Sequence, residues 1–216
     1  MKNIVILGAG DLGKCVAAYI EDINKIEPTY NILGYLDMPE RVGETLYGYK
    51  VIGTDDDLMT LYRQKNVCAV TTNQDGRIRR HIVEKFPEFD GWETIIHPRA
   101  ILLGNAKIGA GSIICPNATV GIDTTVGAHC LISVASNVGH DDTIGDYTSI
   151  MPGAILCGHV NVGAYSYVAT GASIVPMMNV GENTCIGVGS VVIEDIPSNV
   201  TASGNPCKPV MKRKMK

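Results

Sequence analysis

His140, Asp141 and Asp142 form a cluster of ionisable residues in a segment that is otherwise poor in charge. Between residues 100 and 195 the chain has a single Lys, Lys107, and no Arg. An imidazole titrates near neutral pH, so His140 is suited to take a proton from an attacking nucleophile. The carboxylate of Asp141 is predicted to orient that imidazole and to stabilise its cation, as in nucleophile-activating triads. The cluster therefore predicts general base catalysis at His140.

A repeat of six residues positions this cluster. Every sixth residue from Ile96 to Val192 is Ile, Leu or Val, without interruption. This period fits neither an amphipathic helix nor an alternating strand, but it fits a parallel β-helix in which each hexad forms one short strand and a corner. The aliphatic residue points inward, and three hexads close one triangular coil of about eighteen residues. His140 follows the inward Val138 by two residues, so we expect it at an outward corner.

Gly158 lies one predicted coil beyond His140 in the repeat. Acyl transfer needs a donor for the oxyanion as well as a base, and the Gly158 amide is a candidate for that donor. The other histidines of this region have plainer interpretations. His159 and His129 are predicted to be ordinary corner residues, and His97 is predicted to lie in a contact at the junction of two domains.

The first 95 residues are typical of a small α/β domain with a glycine-rich turn. The apolar segment "NIVIL" runs into Gly8, Gly10 and Gly13, and "CVAAYIEDI" after them has helical spacing. This complete GxGxxG pattern lets backbone amides approach a phosphate at a helix N-terminus. A second strand, "ILGYLD", ends at Asp37, where a dinucleotide fold places the acid that holds a ribose. We therefore expect a nucleotide site in residues 1–95.

Three further segments complete this domain. "TDDDLMTLYRQ" predicts a helix capped by Thr54, "VCAV" predicts a buried strand, and "GRIRRHIVEKF" predicts a surface helix with His81 exposed. Strands that alternate with helices predict a small parallel sheet of about four strands. The linker "IIHPRA" separates the two domains, and residues 96–216 are expected to form the β-helix and a C-terminal tail.

The order of these segments resembles a known enzyme family. The glycine-turn domain, "IIHPRA", the hexad repeat and "SGNPCKP" at residues 203–209 together resemble the sialic-acid O-acetyltransferases and nucleotide-amino-sugar N-acetyltransferases, which include the bacillosamine- and perosamine-pathway enzymes. These are left-handed β-helix, or hexapeptide-repeat, acyltransferases. The resemblance spans nearly the whole chain. It implies a small Rossmann-like α/β domain followed by a left-handed parallel β-helix, a homotrimer, and acetyl-coenzyme A in the cleft between neighbouring prisms.

The resemblance also implies roles for individual residues. In the family, a His followed by an acidic residue on this coil is the base, and a Gly one coil later supplies the oxyanion amide, which points to His140, Asp141 and Gly158. The residues expected to contact coenzyme A are Gly158, Gly187, Gly189 and Lys208. The residues expected to contact the nucleotide-linked sugar are Gly8, Gly10, Asp11, Leu12, Gly13, Asp37 and Ser133.

Two departures from the family pattern concern the substrate. Some relatives carry a His at the position of Leu12 and an Asn at the position of Ser133. The main expectation is acetyl transfer from acetyl-coenzyme A to the amino group of a nucleotide-linked 4-amino-4,6-dideoxy sugar, with direct attack by the amine. Two alternatives stay open. One is O-acetylation of sialic acid or another sugar, and the other is an NAD- or nucleotide-binding module on an inert β-helix.

Composition argues against several other classes of protein. The net charge of −4 argues against a nucleic-acid binder, and the basic end from Lys208 to Lys216 is interpreted as a solvated tail. No apolar run reaches the roughly 18 to 20 residues of a membrane helix, and the N-terminus lacks signal-peptide features. Seven scattered Cys without CxxC spacing indicate neither disulfides nor a zinc site, so no metal is expected. We expect a soluble, cytoplasmic enzyme.

Overall fold

The computed structural model describes residues 1–214, which form an α/β unit followed by a triangular prism of short strands. Residues 215 and 216, the last two of the basic tail, lie outside the described residues. Within residues 1–214, no helix is long and apolar enough to cross a membrane.

The α/β unit is built on one five-stranded sheet. Its elements are β1 (Lys2–Leu7), α1 (Asp11–Ile26), β2 (Tyr30–Leu36), β3 (Thr45–Leu46), β4 (Tyr49–Gly53), α2 (Leu58–Lys65), β5 (Val67–Thr71) and α3 (Gly76–Glu84), with 3₁₀ turns at Pro39–Arg41 and Asp55–Asp57. The strand order is β3-β4-β2-β1-β5. β1, β2, β4 and β5 run parallel, whereas β3 pairs antiparallel with β4. The parallel strands match the predicted sheet, and the short β3 is an additional edge strand.

β1 is buried on both of its faces. Ile4 and Ile6 share a cluster with Val16 of α1, while Val5 packs on the other side with Leu58 of α2. A short, uninterrupted apolar run is typical of a strand that helices cover on both sides. This burial fixes the glycine turn that follows β1 at the carboxyl edge of the sheet.

The predicted cap at Thr54 is present, but it caps a 3₁₀ turn that precedes α2. Thr54 caps the 3₁₀ turn Asp55–Asp57, and its N–H donates to the Asp57 carboxylate at 2.8 Å. α2 begins only at Leu58. Acidic residues suit this first turn because negative charge is favoured at a helix N-terminus.

The prism has three faces, each a stack of short strands. We call them the docking face, the apolar face and the glycine face. The docking face, covered by the α/β unit, contains Ile95–Ile96, Ile113–Ile114, Leu131–Ile132, Ser149–Ile150, Tyr167–Val168, Cys185–Ile186 and Val200–Gly204, and Cys207–Lys212 pairs antiparallel with the last of them. The apolar face contains Ile101–Leu102, Thr119–Val120, Asn137–Val138, Ile155–Leu156, Ser173–Ile174 and Val191–Val192. The glycine face contains Lys107–Ile108, Thr125–Val126, Thr143–Ile144, Asn161–Val162 and Asn179–Val180.

The pairing between strands confirms three hexads per coil. Thr119, for example, pairs in parallel with Asn137, one coil further along the chain. The prism is a left-handed parallel β-helix whose inward aliphatic residues form one continuous core. Val138 and Leu156 are fully buried there, whereas Leu102 on the open first coil stays 37% exposed. Burial of each such side chain contributes roughly 1.5 to 3 kcal/mol, so the stack stabilises the prism without helices.

The α/β unit packs on the docking face through a shared apolar layer. Ile113, Leu131 and Met151 of the prism belong to the same buried cluster as Val16 and Ile20 of α1. These prism residues are the outward neighbours of the inward stack, so the docking face is apolar on both of its sides at these positions. The layer holds the α/β unit against one face of the prism.

Arg79 corrects the prediction that α3 is a surface helix. The Arg79 side chain is 1% exposed, and its guanidinium donates to the carbonyl oxygens of His129, Tyr147 and Thr148 on the prism. It also donates to Ser149 Oγ at 3.0 Å. Burial lowers the pKa of Arg79 to about 10, so it stays a cation at neutral pH. The basic sequence of α3 suggests solvent, but one of its Arg residues joins the two units.

Candidate active site

His140 lies at the corner between the apolar face and the glycine face, which we call the His140 corner (residues 121–124, 139–142 and 157–160). Its side chain is 53% exposed, and its Nδ1 lies 2.7 Å from Asp141 Oδ2. Asp141 takes a positive φ of 57° at the tip of the corner. The predicted contact between imidazole and carboxylate is therefore present, and it leaves Nε2 of the ring available.

Gly158 lies beside the His140 imidazole on the next coil. A Cβ on Gly158 would lie 2.7 Å from His140 Nε2, so a side chain there would displace the ring. The φ of +116° at Gly158 is also a conformation that side-chain-bearing residues rarely adopt. Among residues 1–214, no backbone carbonyl or side chain accepts the Gly158 N–H. The corner thus brings together an imidazole nitrogen and an unpaired amide.

Asp142 has a structural role in the corner. It is 1% exposed, and its carboxylate accepts the N–H of Gly139 at 2.7 Å and that of Val160 at 2.8 Å. Burial raises the pKa of Asp142, and the two backbone donors oppose that rise. Asp142 therefore ties two adjacent coils together at the point where His140 projects.

His159 is a neighbour of Asp141 that the sequence analysis treats as an ordinary corner residue. Its Nε2 lies 3.8 Å from Asp141 Oδ2, the oxygen that also faces His140. The two imidazole rings meet edge to face with centroids 5.2 Å apart. The six-residue register could have predicted this contact between His159 and Asp141, because position 159 lies one coil beyond position 141.

The other histidines lie away from the His140 corner. His129 is 5% exposed and stacks on Tyr147 with ring centroids 5.1 Å apart, and burial lowers its pKa to about 4. His97 is buried at the junction, where its Nε2 lies 3.2 Å from Asp22 Oδ2 on α1. His81 is exposed on α3. These placements match the plainer interpretations that the sequence gives them.

The glycine turn joins β1 to α1 and contains two kinds of glycine. Gly8 has φ +108°, and a Cβ on Gly13 would lie 2.1 Å from the Gly8 carbonyl oxygen, so both serve the turn itself. Gly10 differs because a Cβ added to it would meet no atom within 4 Å. It is exposed at the residue before α1. The space beside Gly10 is therefore open at a helix N-terminus, where phosphates bind.

Asp37 follows β2 as predicted, but its carboxylate closes the glycine turn. Oδ2 accepts the Ala9 N–H at 2.6 Å and an Arg41 N–H at 3.0 Å, and Oδ1 accepts the Met38 N–H at 2.7 Å. Arg41 also donates to the Ala9 carbonyl oxygen at 3.0 Å. A ribose at this carboxylate would compete with Arg41, a contact that sequence reasoning did not find.

A cleft of about 310 Å³ opens at this edge of the sheet. Its lining includes Gly8, Asp37, Asn73 and Ile78. Concave sites of this size, with apolar walls and a few polar groups, are typical of small-molecule sites. Asp11, another predicted sugar contact, lies exposed at the start of α1 and pairs with Lys14.

Two predicted sugar contacts, Leu12 and Ser133, lie towards the docking face. Leu12 packs against the apolar layer between α1 and the prism. Ser133 is 8% exposed and follows the docking-face strand Leu131–Ile132. Neither residue belongs to the His140 corner.

The residues expected to contact coenzyme A are spread over the prism. Gly158 is at the His140 corner, whereas Gly187 and Gly189 follow the docking-face strand Cys185–Ile186. Lys208 lies on the antiparallel strand Cys207–Lys212 and pairs with Glu194. The structure therefore does not bring Gly187, Gly189 and Lys208 to His140 of the same chain.

A second cleft, of about 600 Å³, lies on the glycine face beside the His140 corner. Its lining includes Thr143, Asn161 and Asn179, and the amide of Asn161 donates to that of Asn179 at 3.0 Å. Gly145, Gly163 and Gly181, which directly follow these strands, also line it. Sequence reasoning did not single out these Asn residues, although they recur one coil apart at the residue before the inward aliphatic one.

His140 and the nucleotide cleft of the same chain lie on different sides of the prism. The His140 corner joins the apolar and glycine faces, and the α/β unit covers the third face, opposite that corner. The base and the glycine turn therefore cannot meet one small substrate within a single chain.

Comparison with known proteins shows similarity to sugar acetyltransferases. Residues 3–86 match the family described as the PglD N-terminal domain, and no curated protein sequence matches the chain. The acetyltransferase domain of PglB from Neisseria gonorrhoeae FA1090, in complex with acetyl coenzyme A, is 30% identical over 97% of this chain and 99% of its own, with a TM-score of 0.87. PerB from Caulobacter crescentus, in complex with CoA and GDP-perosamine, is 25% identical over 97% and 98%, with a TM-score of 0.88. WeeI from Acinetobacter baumannii AYE is 25% identical over 97% and 100%, with a TM-score of 0.84.

These similarities extend over both parts of the molecule. They cover 97% of the chain, which includes the α/β unit and the prism. The chain is an acyltransferase that belongs to the left-handed β-helix sugar acetyltransferase family.

Proposed function

We propose that the chain transfers the acetyl group of acetyl-coenzyme A to the amino group of a nucleotide-linked 4-amino-4,6-dideoxy sugar. The observation that carries this proposal is the His140 corner, where an imidazole paired with Asp141 lies beside Gly158, whose amide has no acceptor among residues 1–214. The similarity to a PglB domain bound to acetyl coenzyme A and to PerB bound to CoA and GDP-perosamine supports the classes of donor and acceptor.

His140 acts as the general base in this proposal. Asp141 holds the Nδ1–H of His140, so the lone pair on Nε2 accepts a proton from the sugar amine while the amine nitrogen attacks the thioester carbon. The Gly158 N–H donates to the carbonyl oxygen as that oxygen becomes negative. The C–N bond forms, the C–S bond breaks, and the proton on Nε2 passes to the departing thiolate. This route requires no acyl-enzyme.

The proposal divides the work between two domains. Residues 1–95 hold the nucleotide, which is supported by the open space at Gly10 and the adjoining cleft at Gly8 and Asp37. Residues 96–216 carry the acetyl transfer, which is supported by the His140 corner and the cleft beside it on the glycine face.

We further propose that each active site is shared between chains of a homotrimer. The α/β unit lies opposite the His140 corner of its own chain, so a sugar held by one chain meets His140 of a neighbour. Exposed aliphatic side chains on the apolar face, which are typical of association surfaces, support this contact, and they are those of Ile101, Leu103, Ile155 and Ile193. In this arrangement Gly187, Gly189 and Lys208 contribute to the donor site from a neighbouring chain.

Release of thiol from acetyl-coenzyme A tests the proposal over a panel of UDP-, dTDP- and GDP-linked sugars. We expect turnover with at least one 4-amino-4,6-dideoxy sugar nucleotide and none with its 4-hydroxy counterpart. Equilibrium binding of NAD is the parallel measurement. Tight binding of NAD with no thiol release over the whole panel would overturn the proposal in favour of a binding module.

A further inference from the structure

His140, Asp141 and His159 bring three metal-ligating atoms together at the exposed corner. One ring nitrogen of each imidazole and a carboxylate oxygen of Asp141 all lie within 4.8 Å of one another. We propose that these residues form an inhibitory site for a divalent transition-metal ion of the zinc class. Two imidazoles and one carboxylate are a donor set that such ions take, with the remaining positions left for water.

The three side chains can close on an ion without movement of the backbone. The side chains of His140 and His159 are each 53% exposed, and that of Asp141 is 42% exposed, so none is locked by packing. Asp141 Oδ2 lies 2.7 Å from His140 Nδ1 and 3.8 Å from His159 Nε2. Ligand atoms around tetrahedral zinc lie roughly 3.3 Å apart, so shifts on the order of 1 Å suffice.

The backbone holds the two imidazoles in this relation. His159 N–H donates to the His140 carbonyl oxygen at 3.0 Å, which ties the two coils directly behind the side chains. Asp141 and His159 take the same left-handed conformation, with φ of 57° and 52°, at equivalent points of successive coils. The donor atoms are therefore presented by two rigid, stacked corners.

Coordination at His140 Nδ1 would disable the base through its tautomer. A neutral imidazole bound to a metal through Nδ1 carries its hydrogen on Nε2, so Nε2 has no lone pair for the amine proton. Nε2 is the nitrogen that lies beside Gly158. The ion would therefore lower kcat and leave both KM values nearly unchanged, since it occupies neither cleft. This consequence rests on the proposed function, whereas binding of the ion does not.

Titration of the full chain with Co²⁺ tests the site without turnover. Wild type, His159→Asn and the control His81→Asn are compared by the visible absorption of bound Co²⁺, and Asn suits the positive φ at position 159. We expect wild type and the control to bind alike and His159→Asn to bind at least about tenfold more weakly, because it loses one ligand. Equal affinity of His159→Asn and wild type, or an intense thiolate-to-cobalt band, would overturn the site.

Inhibition of acetyl transfer by Zn²⁺ tests the consequence. We expect Zn²⁺ to lower kcat of wild type and EDTA to restore it. His159→Asn, measured against its own rate without Zn²⁺, should need at least about tenfold more Zn²⁺ for the same fractional inhibition. Cobalt binding without zinc inhibition would overturn the inhibitory role. If no sugar is acetylated at all, the proposed function fails, and the cobalt titration still decides the metal site.

Discussion

Two imidazoles at corners of the same repeat have opposite environments. His140 is half exposed and paired with Asp141, whereas His129 is buried between Tyr147 and Trp92. Burial, together with the nearby Arg79 charge, lowers the pKa of His129 to about 4, so it is neutral at physiological pH. Exposure, which the repeat alone does not give, separates the imidazole suited to chemistry from the one that packs.

His129 should make the protein sensitive to acid. Its pKa is about 4 in the folded chain and about 6.5 in the unfolded chain, so the unfolded state takes up the proton first. This contribution to stability is fully present above pH 6.5 and is lost as the pH falls towards 4, by up to about 3 kcal/mol. His129→Asn, which suits the positive φ there, should therefore flatten the dependence of Tm on pH between 6.5 and 4.

His81→Asn is the matched control for that experiment, because His81 is exposed on α3. Its Tm should follow the wild-type curve at every pH. A His129→Asn curve that runs parallel to wild type from pH 6.5 to 4 would show that His129 does not take up a proton on unfolding.

Some contacts between residues follow from register and others do not. Stacking of coils was enough to predict that His140, Asp141 and Gly158 lie together, and the same stacking places His159 over Asp141. The bond from Ala9 N–H to Asp37 could not be predicted in this way. A carboxylate at the end of a strand has several possible partners, and only the folded turn selects among them.

Two glycines of the turn between β1 and α1 should differ in their roles, with Gly10 affecting ligand binding and Gly13 affecting stability. Gly10→Val leaves the backbone unstrained, since φ is −84° and a Cβ would meet no neighbour, but it fills the space at the start of α1. We expect the KM for the sugar nucleotide to rise and that for acetyl-coenzyme A to stay unchanged in steady-state assays. Gly13→Ala should instead lower Tm, because its Cβ would clash with the Gly8 carbonyl. Equal rises of both KM values in Gly10→Val would contradict the division between domains.

α3 should contribute to docking mainly through Arg79. Arg79→Met leaves buried carbonyl oxygens of the prism without a donor, and each such loss costs about 1 to 3 kcal/mol. We expect the free energy of unfolding in urea to fall by at least about 3 kcal/mol. Trp92 fluorescence is a suitable probe, because Trp92 meets His129 across the docking contact at 5.5 Å.

Arg80 is the matched control, since its guanidinium lies 5.0 Å above the Tyr165 ring and is partly exposed. Arg80→Met should cost less than about 1 kcal/mol, as for other exposed charges. Similar losses in both variants would show that Arg79 has no special part in docking.

Periodicity in the sequence was enough to predict the strands of the prism, but it did not predict which residues surround α3. Apolar residues at every sixth position allow one solution, because each must point inward. α3 contains one Arg that is buried and others that are solvated. Because their side chains are chemically identical, the sequence does not show which one is buried. Docking depends on which carbonyls of the prism lie opposite the helix, and no local pattern records that.

For the whole molecule, the placement of the α/β unit predicts that inactive chains can restore one another. His140→Ala lacks the base and Gly10→Val binds the nucleotide poorly, so each alone should be nearly inactive at low sugar concentration. If each site takes its base and its nucleotide from different chains, every mixed trimer contains one intact site. Refolding equal amounts together should then recover about a quarter of wild-type activity. Recovery no greater than the sum of the separate variants would show that each chain forms its own site.

The sequence predicted both domains and their order, but not how they face one another. Residues 1–95 and the hexad repeat each have a strong pattern of their own. Their relation depends on the layer formed by residues such as Leu131, Met151 and Ile20, which read in sequence as ordinary core positions. The opposition of the α/β unit and the His140 corner is therefore visible only in the folded chain.

Transfer of a ¹³C-labelled acetyl group tests whether the sugar amine is acetylated directly with His140 as the base. Wild type, Asp141→Asn and His140→Ala are incubated with labelled acetyl-coenzyme A and the preferred amino-sugar nucleotide, and the product is followed by NMR. We expect an amide at the sugar nitrogen, a loss of kcat of about 10² to 10⁴-fold in His140→Ala with Tm unchanged, and a smaller loss in Asp141→Asn. An ester product, or near wild-type turnover by His140→Ala, would contradict this mechanism.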